Sequence, residues 1–117
     1  MRNKPKPRPE FWTSERCYIT ELLNDVEQPD VSIARARVEP GVTTQLHALS
    51  VAEWYVLEQG EGLMQVGDGE PFTVRDGDTI AVPKSVAQRI TNTGRDDLVF
   101  LCVCVPKFSQ ECYTSLE

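Results

Sequence analysis

Closely spaced turn residues divide the chain into short segments, and none of them carries a helical apolar stripe of useful length. The segment VSIARARVE alternates cleanly between two faces, and Arg35 and Arg37 share one of them. We expect this basic stripe to be solvated, or to hold a ligand carboxylate if it faces a barrel mouth. PG, GEG, DGE and RDGD interrupt the alternating segments. About nine short strands separated by such turns predict an all-β sandwich or barrel.

The segment LVFLCVCV is a continuous apolar run rich in β-branched residues, which predicts a strand buried on both faces. Cys102 and Cys104 share one face of this strand, and we expect both thiols to be buried small hydrophobic groups. Cys17 and Cys112 complete the four cysteines, and no two of them form a C-x-x-C pair. With a single histidine, this pattern argues against a structural zinc site.

Length and charge restrict the partners and the location of the protein. A chain of 117 residues fits one domain. The net charge of -6 argues against a nucleic acid or an anionic membrane surface as the main partner. No apolar run approaches the roughly 18 residues of a membrane span, and the basic N-terminus lacks the apolar stretch of a secretory signal. We therefore expect a cytoplasmic location and reduced thiols.

The first residues, MRNKPKPRPE, alternate basic residues with prolines. Because proline lacks a backbone donor and the charges repel one another, residues 1–12 are predicted to form a mobile basic arm. The alternative is that the arm lies along a partner subunit. The strands occupy the predicted barrel, residues 13–108, and residues 109–117 are predicted to form a C-terminal tail.

The stretch PGVTTQLHALSVAEWYVLEQG resembles the first motif of the cupin superfamily. That motif runs from a glycine across five residues to H-x-H, then to a glutamate that is followed by six residues and a second glycine. Gly41, His47, Glu53 and Gly60 stand at these positions with the expected spacing. Leu49 replaces the second histidine of the motif.

The stretch GDTIAVPKSVAQRITN resembles the second cupin motif, with Gly77, Pro83 and Asn92 at the expected positions. Gln88 stands where that motif usually has a histidine. The resemblance, which spans residues 41–92, implies a single-domain cupin double-stranded β-helix, a jelly-roll barrel. Similar proteins usually form homodimers with their N-terminal strands at the interface.

In the family, the motif histidines and the glutamate hold a divalent metal inside the barrel. The resemblance therefore implies His47, Glu53 and Gln88 as candidate metal ligands in this chain. Fewer imidazoles make a harder site, which favours iron or manganese, while zinc and nickel stay open. The alternative is a polar cluster without a metal, in which Glu53 pairs with His47 and Gln88 caps both.

Further candidates lie beside these ligands on the same strands. Tyr55 shares a strand face with Glu53, and these two residues are the candidate catalytic groups. The Tyr55 hydroxyl would orient a ligand, or the ring would simply fill core volume. Gln45 is expected to line the cavity mouth, and Trp54 is expected to pack outside the barrel.

Two functions follow from the resemblance. The first is a metal-dependent enzyme of the oxygenase, isomerase or decarboxylase type, acting on a small organic ligand in the barrel. The second is a metal-free cupin that binds or senses a small molecule, with Tyr55 and Gln88 as polar contacts. The chain contains no G-x-S-x-G motif and no Gly-rich phosphate loop, which argues against serine hydrolase and nucleotide chemistry.

Overall fold

The computed structural model describes residues 8–117, and their regular secondary structure is almost entirely β-strand, as the sequence predicts. The strands, in chain order, are β1 (Phe11–Thr13), β2 (Cys17–Leu23), β3 (Ser32–Val38), β4 (His47–Leu49), β5 (Ala52–Gln59), β6 (Glu61–Val66), β7 (Phe72–Arg75), β8 (Thr79–Val82), β9 (Gln88–Asn92), β10 (Leu98–Val105) and β11 (Tyr113–Ser115). A single 3-10 turn, Gln110–Cys112, precedes β11. Within residues 8–117 no helix is long and apolar enough to cross a membrane.

The strands form two antiparallel sheets that enclose the core. The larger sheet has the order β1-β2-β3-β10-β5-β8, and the smaller has the order β11-β4-β9-β6-β7. Leu57 and Leu98 of the larger sheet and Met64 and Ile90 of the smaller sheet are among the most deeply buried side chains. The hydrophobic cluster that contains them joins the two sheets into one barrel.

The alternation read from the sequence correctly predicts which side chains face inward. On β5, Glu53, Tyr55 and Leu57 are buried, whereas Trp54 between them is 46% exposed and lies outside the barrel, as expected. The same alternation holds on β9, where Gln88, Ile90 and Asn92 are buried and the residues between them are half-buried. The period of two is therefore what carries the polar motif residues into an apolar interior.

The apolar strand β10 is central in the larger sheet, between β3 and β5. Its inward residues Leu98, Phe100 and Cys104 are buried, but Val99 on its outer face is half-buried and Val105 is 48% exposed. The prediction of burial on both faces therefore holds for the inner face alone. No other layer made by residues 8–117 covers the outer face. The expected homodimer stays a prediction.

Ordered strands lie outside the expected barrel boundaries at both ends. β1 begins at Phe11, inside the range expected for the arm, because its backbone pairs with β2. β11 lies inside the range expected for the tail, because it pairs with β4. The first seven residues of the predicted arm are outside the described residues, so its mobility stays a prediction.

The basic stripe of β3 forms ion pairs with carboxylates of the same chain. The Nε of Arg35 lies 2.9 Å from Oε1 of Glu58. The Nη2 of Arg37 lies 2.7 Å from Oε1 of Glu10, and its Nη1 lies 3.0 Å from Oδ2 of Asp97. All these side chains are partly exposed, so each ion pair adds little stability. The stripe is a solvated strand face, and its arginines do not line the barrel cavity.

The motif glycines occupy backbone conformations that other residues avoid. Gly60 has φ +97°, and a Cβ built there would lie 3.1 Å from the carbonyl oxygen of Asp97. Gly77 has φ +91° in the turn before β8. Positive φ angles favour glycine because a Cβ clashes with the backbone there. These glycines therefore allow the tight turns that end one strand and start the next.

Candidate functional site

The three candidate metal ligands all lie inside the barrel. His47 on β4 and Gln88 on β9 are direct partners in the smaller sheet. Glu53 lies on β5 in the larger sheet. His47 is 5% exposed, Glu53 6% and Gln88 1%. The fold therefore buries all three polar side chains between the two sheets.

A cavity of about 120 Å³ opens beside two of these residues, His47 and Glu53. The wall combines polar and apolar side chains from both sheets and both ends of the chain. It is formed by Phe11, Thr13, Glu15, Ile19, Glu21, Leu23, Asn24, Ser32, Ile33, Ala34, His47, Leu49, Glu53, Cys102, Cys104, Phe108, Gln110 and Tyr113. Gln88 and Tyr55 are not on this wall, although the sequence placed them in the same site.

The imidazole of His47 is held on two sides. Its Nδ1 lies 2.8 Å from the backbone oxygen of Gln45, and the ring stacks on Tyr113 with centroids 4.8 Å apart. Because a carbonyl oxygen only accepts, Nδ1 carries the proton and Nε2 of the neutral ring keeps its lone pair. Burial lowers the pKa of His47, so the ring is neutral at pH 7. Its Nε2 lies 3.9 Å from Oε1 of Glu15, which is longer than a hydrogen bond.

Glu53 is a buried carboxyl group with only one oxygen in contact with a donor. Its Oε2 lies 3.9 Å from the thiol sulfur of Cys104, whereas its Oε1 is buried without a hydrogen-bond partner. Burial raises the pKa of Glu53 to about 7; the Gln88 amide opposes this rise, and the nearby charge of Glu15 adds to it. Burial also raises the pKa of Glu15 to about 7. Two carboxyl groups of one cavity therefore titrate near neutral pH.

Two cysteines, Cys102 and Cys104, lie on the cavity wall, and the Cys104 thiol contacts Glu53. All four cysteines are free. Cys17, Cys104 and Cys112 are buried, as expected for small hydrophobic groups, whereas Cys102 is half-buried on the cavity wall. Burial raises the pKa of the Cys104 thiol well above its usual range. The Cys104 thiol is therefore protonated at neutral pH, and its reactivity is low.

The Gln88 amide presents its nitrogen where a metal ligand would need an oxygen. The Tyr55 hydroxyl donates to Oε1 of Gln88, and Nε2 of Gln88 is buried without a partner. The Tyr55 ring stacks on Phe100, with centroids 4.7 Å apart, behind the cavity wall. Tyr55 therefore fills core volume and orients Gln88, and it does not reach the cavity.

The donor set does not fit a metal ion as it is arranged. Of the three candidate ligands, His47 and Glu53 lie on the cavity wall, whereas Gln88 does not and its oxygen accepts from Tyr55. Leu49, which is buried beside them on the cavity wall, supplies no donor. Residues 8–117 contain no group of three or more His, Cys, Asp or Glu side chains placed to hold an ion. Two ligands are fewer than protein metal sites normally provide.

Residues 34–104 match the model of the cupin domain family, which is more than half of the chain. The chain is a member of the cupin family. This cupin is 38% identical over 119 residues to an uncharacterized protein of Methanocaldococcus jannaschii, MJ1618, and the match covers 98% of the chain and 91% of that protein.

Solved structures share the barrel of this cupin at low identity. The Streptomyces nucleoside dehydratase Pac13 superimposes with a TM-score of 0.83 at 16% identity, over 100% of this chain and 92% of that one. A predicted oxalate decarboxylase from Thermotoga maritima superimposes with a TM-score of 0.77 at 23% identity, over 91% of this chain and 99% of that one. At these identities the likeness shows the fold alone, and the fold does not determine the function.

Glu15 and Tyr113 are two wall residues close to His47 that were not predicted from the sequence. Glu15 precedes Arg16, which has φ +69°, in the turn between β1 and β2, and its backbone oxygen accepts from Gln45. Tyr113 donates to Oε1 of Gln45 and stacks on His47. Gln45, expected at the cavity mouth, instead lies behind His47 and supports these contacts.

The Tyr113 ring shields His47 from solvent, and its removal has a measurable consequence. In a Tyr113→Ala variant the pKa of His47 is expected to rise towards its ordinary value of 6.5, because burial is the main cause of its low pKa. The cupin has a single histidine, so one imidazole resonance followed by NMR against pH reports the change.

The matched control is Tyr18→Ala. Tyr18 lies on the larger sheet, where it packs against Trp12 and beneath Arg37. Its removal should leave the His47 titration unchanged. Equal pKa values of His47 in wild type and Tyr113→Ala would show that Tyr113 does not provide the shielding.

Proposed function

We propose that this cupin binds a small organic molecule in the cavity without a metal ion, with the Glu53 carboxyl group at the centre of the site. One observation carries the proposal: Oε1 of Glu53 is buried beside a cavity and has no hydrogen-bond partner. A buried acceptor without a donor costs about 1–3 kcal/mol. A bound molecule that donates to this oxygen would remove that cost.

The same site supports proton transfer to or from the bound molecule. Glu53 and Glu15 both have a pKa of about 7, raised by burial. A general acid or base is most effective when its pKa lies near the working pH. Perturbed carboxyl groups in a cavity are typical of such sites, although ion-pair networks also perturb pKa values. Glu53 is therefore the first candidate for a catalytic group.

A second candidate function is the metal-dependent enzyme implied by the resemblance, and the same orphaned oxygen favours it. A cation would satisfy Oε1 of Glu53 as well as a donor would. A half-turn of the Gln88 amide would offer its oxygen to the ion, and the Tyr55 hydroxyl would then accept from its nitrogen. His47, Glu53 and Gln88 would hold the ion, which would supply Lewis-acid chemistry.

The test combines ligand binding with removal of metal. A panel of small amines, alcohols and acids is titrated into EDTA-treated protein, and the amide resonances of the cavity-lining residues are followed by NMR. We expect at least one compound to shift these resonances. Ala34→Phe should abolish the shifts because Ala34 lines the cavity, whereas Ala81→Phe on the exposed face of β8 should not.

Metal analysis decides between the two candidates. The metal-free site predicts sub-stoichiometric metal even after anaerobic loading with iron or manganese. Stoichiometric metal in the wild type that is lost in Glu53→Ala, together with ligand binding that requires the metal, would contradict the metal-free site and support the metal-dependent enzyme.

A further inference from the structure

We infer that the cavity takes a small primary amine with an apolar carbon frame, and that its ammonium group sits between Glu53 and Glu15. This inference rests on the proposed function, since it names the class of molecule that the same cavity would bind. It stands on the charges of the wall, on the unpartnered oxygen of Glu53 and on the apolar side chains opposite them.

The part of the cavity wall formed by residues 8–117 is acidic and contains no permanent cation. Glu15, Glu21 and Glu53 lie on it, and none of its residues is lysine or arginine. His47 is the one residue of this part of the wall that could be cationic, but burial lowers its pKa and so favours the neutral ring. An anionic ligand would therefore enter a low-dielectric site with carboxylates and no compensating charge, which is strongly unfavourable.

Two of the three acidic groups are available to a ligand. Glu21 is at the rim, and its side chain is 43% exposed. Its Oε2 lies 3.5 Å from Nη1 of Arg8. Glu53 and Glu15 have no ion pair with lysine or arginine among the residues that the structure describes. These two carboxyl groups are therefore the ones that lack a positive partner.

An ammonium group matches these two carboxyl groups better than a hydroxyl group does. It has three donors and no acceptor, so it can reach Oε1 of Glu53 and a second carboxylate, Glu15, at the same time. Charge-assisted hydrogen bonds are shorter and about twice as strong as neutral ones. A buried carboxylate is stable when it is paired with a cation, and residues 8–117 place no lysine or arginine on this wall.

The remainder of the wall selects the frame that carries the ammonium group. Ile19, Leu23, Ile33 and Phe108 line the same cavity as the two carboxyl groups. At about 120 Å³ the cavity is smaller than the pockets that hold drug-sized ligands. A short alkyl or small cyclic frame fits these walls, whereas a multiply charged polyamine would leave ammonium groups without partners.

The test is a series of compounds with one carbon frame and three end groups: butylamine, butanol and butyrate. Each is titrated by NMR at pH 8, where the amine is protonated and butyrate is ionised. We expect butylamine to bind at least tenfold more tightly than butanol, and butyrate not to bind. Glu53→Gln and, independently, Glu15→Gln should each reduce the preference for butylamine over butanol at least tenfold.

Glu58→Gln is the matched control, because Glu58 pairs with Arg35 and lies away from the cavity. It should keep the wild-type preference. If butanol or butyrate binds as tightly as butylamine at the cavity-lining residues, the inference is overturned and the proposed small-molecule site stands. If none of the three shifts those residues while another compound of the wider panel does, the inference is overturned and the proposed site stands; if no compound of the panel does, both are contradicted.

Discussion

The free energy of unfolding of this cupin is expected to fall by about 3 kcal/mol between pH 4.5 and pH 8 on account of Glu53 alone. The folded state raises the pKa of Glu53 from its ordinary value of 4.5 to about 7, and one pKa unit corresponds to about 1.4 kcal/mol. In this window the folded state binds a proton that the unfolded state has lost, so stability decreases as pH rises. The contribution is complete below pH 4.5 and is lost as pH passes 7.

Other groups of the same cavity add to this dependence or oppose it. Glu15, with a pKa of about 7, destabilises the fold over the same range. His47 acts in the opposite direction below pH 6.5, because burial lowers its pKa and the unfolded state then binds the extra proton. The thiols and tyrosines of the site have raised pKa values, so they remain protonated throughout this range.

Urea denaturation at a series of pH values measures the effect in wild type, Glu53→Gln and Glu58→Gln. The Glu53→Gln variant should lose less stability than wild type between pH 5 and pH 8, by about 2–3 kcal/mol, because its side chain does not ionise. Glu58→Gln should follow the wild-type curve. Parallel curves for wild type and Glu53→Gln would mean that Glu53 does not carry the raised pKa.

The second large effect is expected at Asn92, the asparagine of the second motif. Its Nδ2 donates to the backbone oxygens of Val38 at 2.8 Å and Asp96 at 2.9 Å, and its Oδ1 accepts from the backbone of Gly94 at 2.9 Å. The side chain is 1% exposed, so water cannot replace these bonds. Asn92→Ala should lower the free energy of unfolding by about 3–4 kcal/mol, since buried groups left without partners cost about 1–3 kcal/mol each.

Asn92→Asp separates the donors of the amide from its shape. It keeps an acceptor for Gly94 but turns a carboxylate towards the Val38 and Asp96 oxygens, so at pH 7 it should destabilise at least as much as Asn92→Ala. The exposed neighbour Thr93 supplies the control, and Thr93→Ala should cost less than about 0.5 kcal/mol in the same denaturation. A cost below 1 kcal/mol for Asn92→Ala would show that the three bonds are not essential.

The fold and half of the site could be predicted because they depend on local pattern. Alternation along β5 is sufficient to place Glu53 inside the barrel and Trp54 outside it. The spacing of Gly41 and Gly60 around His47 marks the turns of the barrel. These features lie within one strand or one turn, so the sequence specifies them directly.

The rest of the site depends on contacts between distant parts of the chain. Glu15 is in a turn and Tyr113 is in a segment expected to be a tail, and neither position has a periodicity that predicts its direction. Gln88 faces inward, as alternation predicts, but the direction of its amide is set by the Tyr55 hydroxyl on the other sheet. Alternation gives the face of a side chain and not the atom that it presents, which is why the implied metal set and the observed donors differ.

The position of β10 between β3 and β5 also bears on how the protein folds. The larger sheet cannot be completed until residues 98–105 insert between strands made much earlier in the chain. During synthesis, β3 and β5 expose unpaired edges and apolar inner faces until that insertion, which is the state most prone to aggregation. Such non-local pairing slows folding, and a chain interrupted before β10 lacks the strand that joins β3 to β5.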